Sequence, residues 1–110
     1  MKKLYTVNTY YETYENVFIV LDKYRFDNSL AISLMSNTLG PIARITVCLQ
    51  DGLGLPYFLD EDEAFVDTNN CPWAEQFIIE NRLGKPTGRK AGSGFCLYPS
   101  YKFDLKKLAE

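Results

Sequence analysis

A series of short apolar segments, separated by turn residues, constrains what this chain can fold into more than any other feature. The run from Val17 to Leu21 has the length of a buried strand, and the preceding segment from Leu4 to Tyr11 alternates imperfectly. Alternation continues from Leu30 to Met35 and from Ile42 to Leu49, with glycine and proline between those two segments, which is typical of a hairpin. Short links between successive strands favour an antiparallel meander.

The later part of the chain predicts one main helix, at about residues 71–83. The segment Thr68-Asn69-Asn70 offers capping oxygens, Pro72 suits a first helical turn, and Gly84 is a stop signal. The apolar face of this helix consists of Trp73, Ala74, Phe77 and Ile78. We therefore expect an α+β fold, in which an antiparallel β-sheet meander is packed on one face by this main helix, and a single domain of residues 1–110. Asp104 is expected to cap a short final helix through Leu108.

The residue types exclude several kinds of chemistry. The sequence has no histidine and three cysteines, which removes serine–histidine and cysteine–histidine catalysis and disfavours zinc binding. We expect no enzyme activity, no catalytic residues, no metal and no cofactor. Lys2 and Lys3 are not followed by the apolar stretch of a signal peptide, and no apolar run is long enough to span a bilayer. A cytoplasmic location with no membrane partner is expected.

Charge is distributed unevenly along the chain. Residues 1–81 carry twelve acidic against five basic residues, whereas residues 82–110 carry two acidic against seven basic residues. Carboxylates can replace phosphates in a basic channel and accelerate association with a basic protein. An acidic patch is accordingly predicted to bind a partner protein, and it comprises Asp60, Glu61, Asp62, Glu63 and Asp67.

A glycine-rich segment with several bases, residues 84–94, is predicted to be a mobile loop. Lys85, Arg89 and Lys90 are its candidate contacts with nucleic acid or with an acidic partner. The spacing of these residues differs from that of a phosphate-binding loop, and the segment follows the predicted helix instead of preceding one.

Several short motifs make the chain similar to a family of uncharacterised small domains carried on bacterial conjugative elements and phages. The motifs are Tyr24-x-x-x-Asn28-x-Leu30-Ala31-Ile32, Ile45-Thr46-Val47-x-Leu49, Asp67-Thr68-Asn69-Asn70, Leu83-Gly84-x-Pro86-Thr87-Gly88 and Gly94-Phe95-x-x-Tyr98-Pro99-x-Tyr101-x-Phe103. This resemblance implies a mobile-element context, in which accessory genes commonly encode inhibitors of restriction or CRISPR effectors.

The main hypothesis is therefore a non-enzymatic protein-interaction module. In this hypothesis the chain is a stoichiometric inhibitor of a host defence nuclease, of the anti-CRISPR or anti-restriction type. Its partner would be a host or element-encoded protein, in particular an effector that processes nucleic acid. The alternative is a small nucleic-acid-associated accessory protein that uses the basic segment 84–94, and a homodimer is a further alternative.

Overall fold

Strands account for 49% of the protein and helices for 10% in a computed structural model that describes residues 2–110. The strands are β1 (Tyr5–Asn8), β2 (Thr13–Lys23), β3 (Leu30–Ser36), β4 (Gly40–Arg44), β5 (Thr46–Val47), β6 (Glu63–Val66), β7 (Gly84–Ser93) and β8 (Cys96–Phe103). The helices are α1 (Ala74–Glu80) and α2 (Leu105–Leu108). Neither of these helices is long and apolar enough to cross a membrane.

Two four-stranded antiparallel sheets replace the expected single sheet with one main helix, so the predicted fold class is wrong. The first sheet has the order β1-β2-β3-β4, and the second has the order β5-β6-β8-β7. In the first sheet, Ile19 pairs with Leu34 and Leu21 with Ile32. Because paired residues share a face, this register places Ile19, Ile32 and Leu34 in the core.

The chain passes from one sheet to the other at Ile45. Its backbone N–H donates to the carbonyl of Ile32 at 3.1 Å, in the first sheet. Its own carbonyl accepts from the N–H of Asp67 at 2.8 Å, directly after the last strand residue of β6. The segment predicted as one strand, Ile42 to Leu49, is thus divided between two sheets, and one residue is hydrogen-bonded to both sides of the junction.

Two apolar clusters lie on opposite faces of the second sheet. The larger lies between the two sheets and α1, and its fully buried members include Val7, Val17, Ile32, Leu34, Ile45, Val66, Ile78, Leu83 and Leu108. The smaller consists of Leu49, Phe65, Ala91 and Tyr98, with Val47, Tyr57, Leu59 and Cys96 packed against it. Since Tyr57 and Leu59 belong to the segment between β5 and β6, that segment covers the outer face of the second sheet.

Helix α1 is shorter than the predicted helix at about residues 71–83, and neither of its ends is formed by the predicted signal. Its N-cap is Trp73, with no side-chain cap hydrogen bond. The segment Thr68-Asn69-Asn70 does not cap it, because it ends three residues before Trp73; the Asp67 carboxylate accepts from the N–H and the side-chain amide of Asn70, at 3.1 and 3.0 Å. Those residues form a turn that precedes the helix.

The predicted cap of α2 is confirmed, since Asp104 accepts from the N–H of Lys107 at 3.1 Å.

A Schellman motif ends α1, with Arg82 in the left-handed position. The N–H of Leu83 donates to the carbonyl of Ile78 at 2.9 Å, and that of Arg82 donates to the carbonyl of Ile79 at 3.1 Å. Arg82 has φ 56°, a conformation that usually favours glycine. The left-handed conformation of Arg82 therefore ends the helix, and Gly84, the predicted stop signal, is already the first residue of β7.

The segment 84–94, predicted as a loop, is a strand as far as Ser93, and that prediction is wrong. Its pairing with β8 runs from Gly84 opposite Phe103 to Ser93 opposite Cys96. The register shifts between Pro86 and Lys90, which is where the strand bulges. Glycines weaken a strand intrinsically, but the aromatic strand β8 pairs with the segment on both sides of the bulge.

Close backbone packing explains the glycine at position 84, and we expect Gly84→Ala to destabilise the protein by about 1–3 kcal/mol. A Cβ atom there would lie 2.8 Å from the carbonyl oxygen of Lys102. Gly92→Ala is the matched control in the same strand, because its nearest contact would be an ordinary 3.8 Å. Urea denaturation of both variants measures the difference, and equal effects would contradict this account.

Candidate functional site

The five acidic residues predicted as one patch do not share a surface. Asp60 and Glu61 are exposed, whereas Glu63 and Asp67 are only 5% and 8% exposed. Asp62 forms an ion pair with Lys102 at 3.1 Å. Of the predicted patch, Asp60 and Glu61 alone are exposed carboxylates, and Glu63 and Asp67 satisfy hydrogen bonds inside the fold.

Glu63 connects three parts of the second sheet. Its carboxylate accepts from the Ser100 hydroxyl on β8 at 2.5 Å and from the Arg89 guanidinium on β7 at 3.2 Å. It also accepts from the backbone N–H of Asp60 at 3.3 Å, in the segment that leads into β6. This network accounts for a buried carboxylate, because each of its contacts is a hydrogen-bond donor.

The three basic residues of β7 also fail to form one surface. Lys85 pairs with Lys102 and Lys90 pairs with Pro99, which place the two lysines on opposite faces of the sheet because faces alternate along β8. Arg89 lies in the bulge and contacts the Glu63 carboxylate and the carbonyl of Phe58, the latter at 3.3 Å. The structure thus brings Arg89 together with Glu63, a member of the predicted acidic patch.

A surface not predicted from the sequence is formed by the turn at residues 51–55. The Asp51 carboxylate accepts from the N–H groups of Leu53 and Leu55 at 2.8 and 3.0 Å. The N–H of Asp51 donates to the carbonyl of Leu55 at 2.8 Å, which closes the turn. On this fixed backbone the Leu53 side chain is 85% exposed. The Phe58 side chain, a few residues later, is 94% exposed.

The segment that carries Phe58 is anchored by contacts with the smaller apolar cluster on the second sheet. Tyr57 and Leu59 pack against the smaller cluster, and the Tyr57 ring lies edge-on to Phe65 with 5.3 Å between centroids. Alternation along an extended segment then turns Phe58 to solvent. The exposed Phe58 is therefore held in place by its partly buried neighbours.

An open groove of about 570 Å³ lies beside Phe58, and we name it the 51–59 groove. Its lining consists of Asp27, Asp51, Leu55, Pro56, Tyr57, Phe58, Leu59 and Arg89. Asp27 and Asp51 contribute carboxylates to the groove, and the exposed Asp60 follows its last residue. The groove thus combines an apolar lining with an acidic border. The sequence signal for it was the pair Leu53 and Leu55 in a glycine-rich turn, where polar residues are usual.

The cysteines lie in apolar or partly buried surroundings. All three are free thiols, and the buried Cys71 donates to the carbonyl of Arg44 at 3.6 Å. Burial raises the pKa of the Cys71 thiol to about 11, and Asp67 adds to this rise. Burial likewise raises the pKa of Cys48, with a contribution from Asp27. Within residues 2–110, no three His, Cys, Asp or Glu side chains are grouped so as to hold a metal ion.

Comparison with known proteins adds a family assignment. Neither the curated proteins nor the solved structures include a significant match to the chain. A family model described as a domain of unknown function, DUF4313, matches residues 18–110. That match includes most of β2, the turn at residues 51–55, the 51–59 groove and both helices. The chain therefore belongs to the DUF4313 family.

Proposed function

We propose that the chain is a protein-interaction module that binds one partner through the 51–59 groove and the apolar side chains beside it. The observation that carries this proposal is the exposure of Leu53, on a turn fixed by hydrogen bonds, and of Phe58, between two residues that pack on the smaller cluster. Apolar side chains grouped on a surface and bordered by polar residues mark interaction sites in soluble proteins.

The fixed backbone favours binding because less order has to be imposed on association. Four hydrogen bonds within residues 51–55 set the positions of Leu53 and Leu55 in the free protein. Binding then immobilises side chains but leaves the backbone as it was. Aromatic residues such as Phe58 are enriched in the buried centres of interfaces, and Arg89 adds a donor at the border of the groove.

The charges around the groove define the chemistry of the partner. The carboxylates of Asp27 and Asp51 line the groove and the exposed Asp60 directly follows its last residue, so a complementary surface has an apolar pocket bordered by lysine and arginine. Basic surfaces of this kind are characteristic of proteins that process nucleic acid. We further propose that the chain inhibits such an enzyme stoichiometrically, as a host-defence nuclease inhibitor encoded on a mobile element.

The test compares two charge substitutions at equally exposed phenylalanines. Tagged wild-type chain, Phe58→Asp and Phe95→Asp are purified from the cells that express the chain naturally, and retained proteins are identified and quantified. Phe95 is fully exposed at the β7–β8 turn and does not line the 51–59 groove. We expect one protein retained at equimolar ratio by the wild type and by Phe95→Asp, with at least about tenfold less on Phe58→Asp, the loss expected for burying a charge in an apolar contact.

Two outcomes would contradict the proposal. Equal retention by all three proteins would exclude the groove as the contact surface. Salt-dependent binding of DNA or RNA that is lost when Lys85, Arg89 and Lys90 are changed to alanine would favour the accessory-protein alternative. The proposed inhibition of a nuclease further requires that the purified chain inhibit the retained enzyme at a ratio of one to one.

A further inference from the structure

A second cavity of about 570 Å³, as open to solvent as the 51–59 groove, lies away from that groove, where the end of α1 meets the start of β7 and the end of β8. We name it the α1–β7 cavity, and its lining consists of Ile79, Arg82, Gly84, Lys85, Pro86, Lys102, Phe103 and Asp104. Its volume lies in the range of about 300–1,000 Å³ that is usual for small-molecule sites. It shares no lining residue with the 51–59 groove.

Positive charge is concentrated at this cavity. Arg82, Lys85 and Lys102 line it against one carboxylate, that of Asp104, and Lys85 lies directly opposite Lys102 across two paired strands. Like charges in that arrangement repel each other and destabilise a sheet. Lys102 is compensated by Asp62 at 3.1 Å, whereas within residues 2–110 neither Arg82 nor Lys85 forms an ion pair.

Apolar surface accompanies these charges. Ile79 is 54% exposed although it belongs to α1, and Pro86 is also exposed. Pro86 has no N–H, so the start of β7 is poorly suited to pairing with an added strand. A small molecule therefore fits this cavity better than an extended peptide.

The backbone of Arg82 supplies an independent observation. An arginine occupies the left-handed position of the Schellman motif, where glycine avoids the steric cost of a side chain. Strained residues of this kind are found at binding sites, where the side chain is needed despite its cost.

We propose that the α1–β7 cavity binds a small amphipathic anion, namely a carboxylate attached to a hydrocarbon body. Arg82 and Lys85 hold the carboxylate, and Ile79, Pro86 and Phe103 contact the hydrocarbon. This site is separate from the proposed protein-binding groove, and either proposal can fail without the other.

The test uses octanoate as the probe and octan-1-ol as the neutral molecule of equal chain length. Amide chemical-shift changes on titration locate each probe and give its Kd. We expect octanoate to shift amides of residues 79–86 and 102–104, and to bind at least about tenfold more tightly than octan-1-ol because of charge-assisted hydrogen bonds.

Arg82→Gly separates binding from folding, because its two expected effects have opposite signs. Removing the guanidinium should weaken octanoate binding about tenfold. Relieving the left-handed conformation should raise Tm by about 4 °C. Asn28→Gly is the matched control, since Asn28 also has positive φ, at 63°, but does not line the cavity. It should leave the Kd for octanoate unchanged.

Lysine substitutions provide a second comparison on the same strand. Lys85→Ala should weaken octanoate binding, whereas Lys90→Ala, on the opposite face of the sheet, should not. Equal affinities for octanoate and octan-1-ol would overturn the proposal. So would an unchanged Kd in Arg82→Gly, or shifts confined to the residues of the 51–59 groove.

Discussion

Phe65→Ala is expected to destabilise the protein by about 3–5 kcal/mol, the range for removing a buried phenylalanine. Phe65 is 2% exposed and lies at the centre of the smaller cluster, where Tyr57 packs edge-on against it. Its loss leaves a void under the segment that carries the exposed apolar residues. Urea denaturation followed by circular dichroism measures the change in the free energy of unfolding.

Phe58→Ala is the control for Phe65→Ala, since it removes the same side chain from the same region. Phe58 is 94% exposed, so its truncation should change the free energy of unfolding by less than about 0.5 kcal/mol. A large loss of stability in Phe58→Ala would mean that this side chain has a structural role. The proposal that Phe58 is available to a partner would then lose its basis.

Glu63→Ala is expected to destabilise the protein by about 2–3 kcal/mol. The substitution leaves the buried Ser100 hydroxyl without its acceptor and releases Arg89, and hydrogen bonds to a charged group are worth about 1.5–3 kcal/mol. The partial exposure of Arg89 lets water replace that contact, which keeps the expected loss below that of a fully buried ion pair.

Glu61→Ala is the matched control for Glu63→Ala, because Glu61 is an exposed neighbour in the same acidic run. We expect it to leave Tm unchanged, as surface substitutions away from specific contacts usually do. Equal losses in the two variants would contradict the assignment of a structural role to Glu63 alone. Charge reversal at Glu63 is for the same reason unsuited to mapping a partner surface, whereas Asp60 and Glu61 are suited to it.

Local patterns identified the strands whose signals lie within a single segment. The apolar run at Val17 to Leu21 lies within β2, and the alternating segment from Leu30 to Met35 lies within β3. The cap at Asp104 was also predictable, because a capping side chain bonds to N–H groups only a few residues away.

The features that the sequence did not predict depend on hydrogen bonds between residues that are distant in sequence. Strand β7 contains three internal or terminal glycines that favour a loop, and only its pairing with β8 makes it a strand. The division at Ile45 depends on hydrogen bonds to Ile32 and Asp67, which are distant in sequence. The capping pattern at Thr68-Asn69-Asn70 failed because those residues form a turn closed by Asp67, and the helix begins only after Trp73.

The candidate sites were less predictable than the strands. Charge runs in the sequence indicated Asp60 to Glu63 and Lys85 to Lys90, but burial and strand alternation separate the members of each run. The 51–59 groove requires Asp27 to approach a turn some twenty-five residues later in the chain. Such proximity depends on tertiary structure, which no spacing of residues in the sequence encodes.

The junction at Ile45 also determines how the chain tolerates rearrangement. Because one residue is bonded to both sheets, we expect that excising or exchanging either sheet at this point would also break a hydrogen bond of the other. New termini or inserted domains are best accommodated at exposed turns such as Gly94-Phe95, where few tertiary contacts would be broken. The continuity of the backbone through residues 44–46 is the condition that any such permuted chain has to preserve.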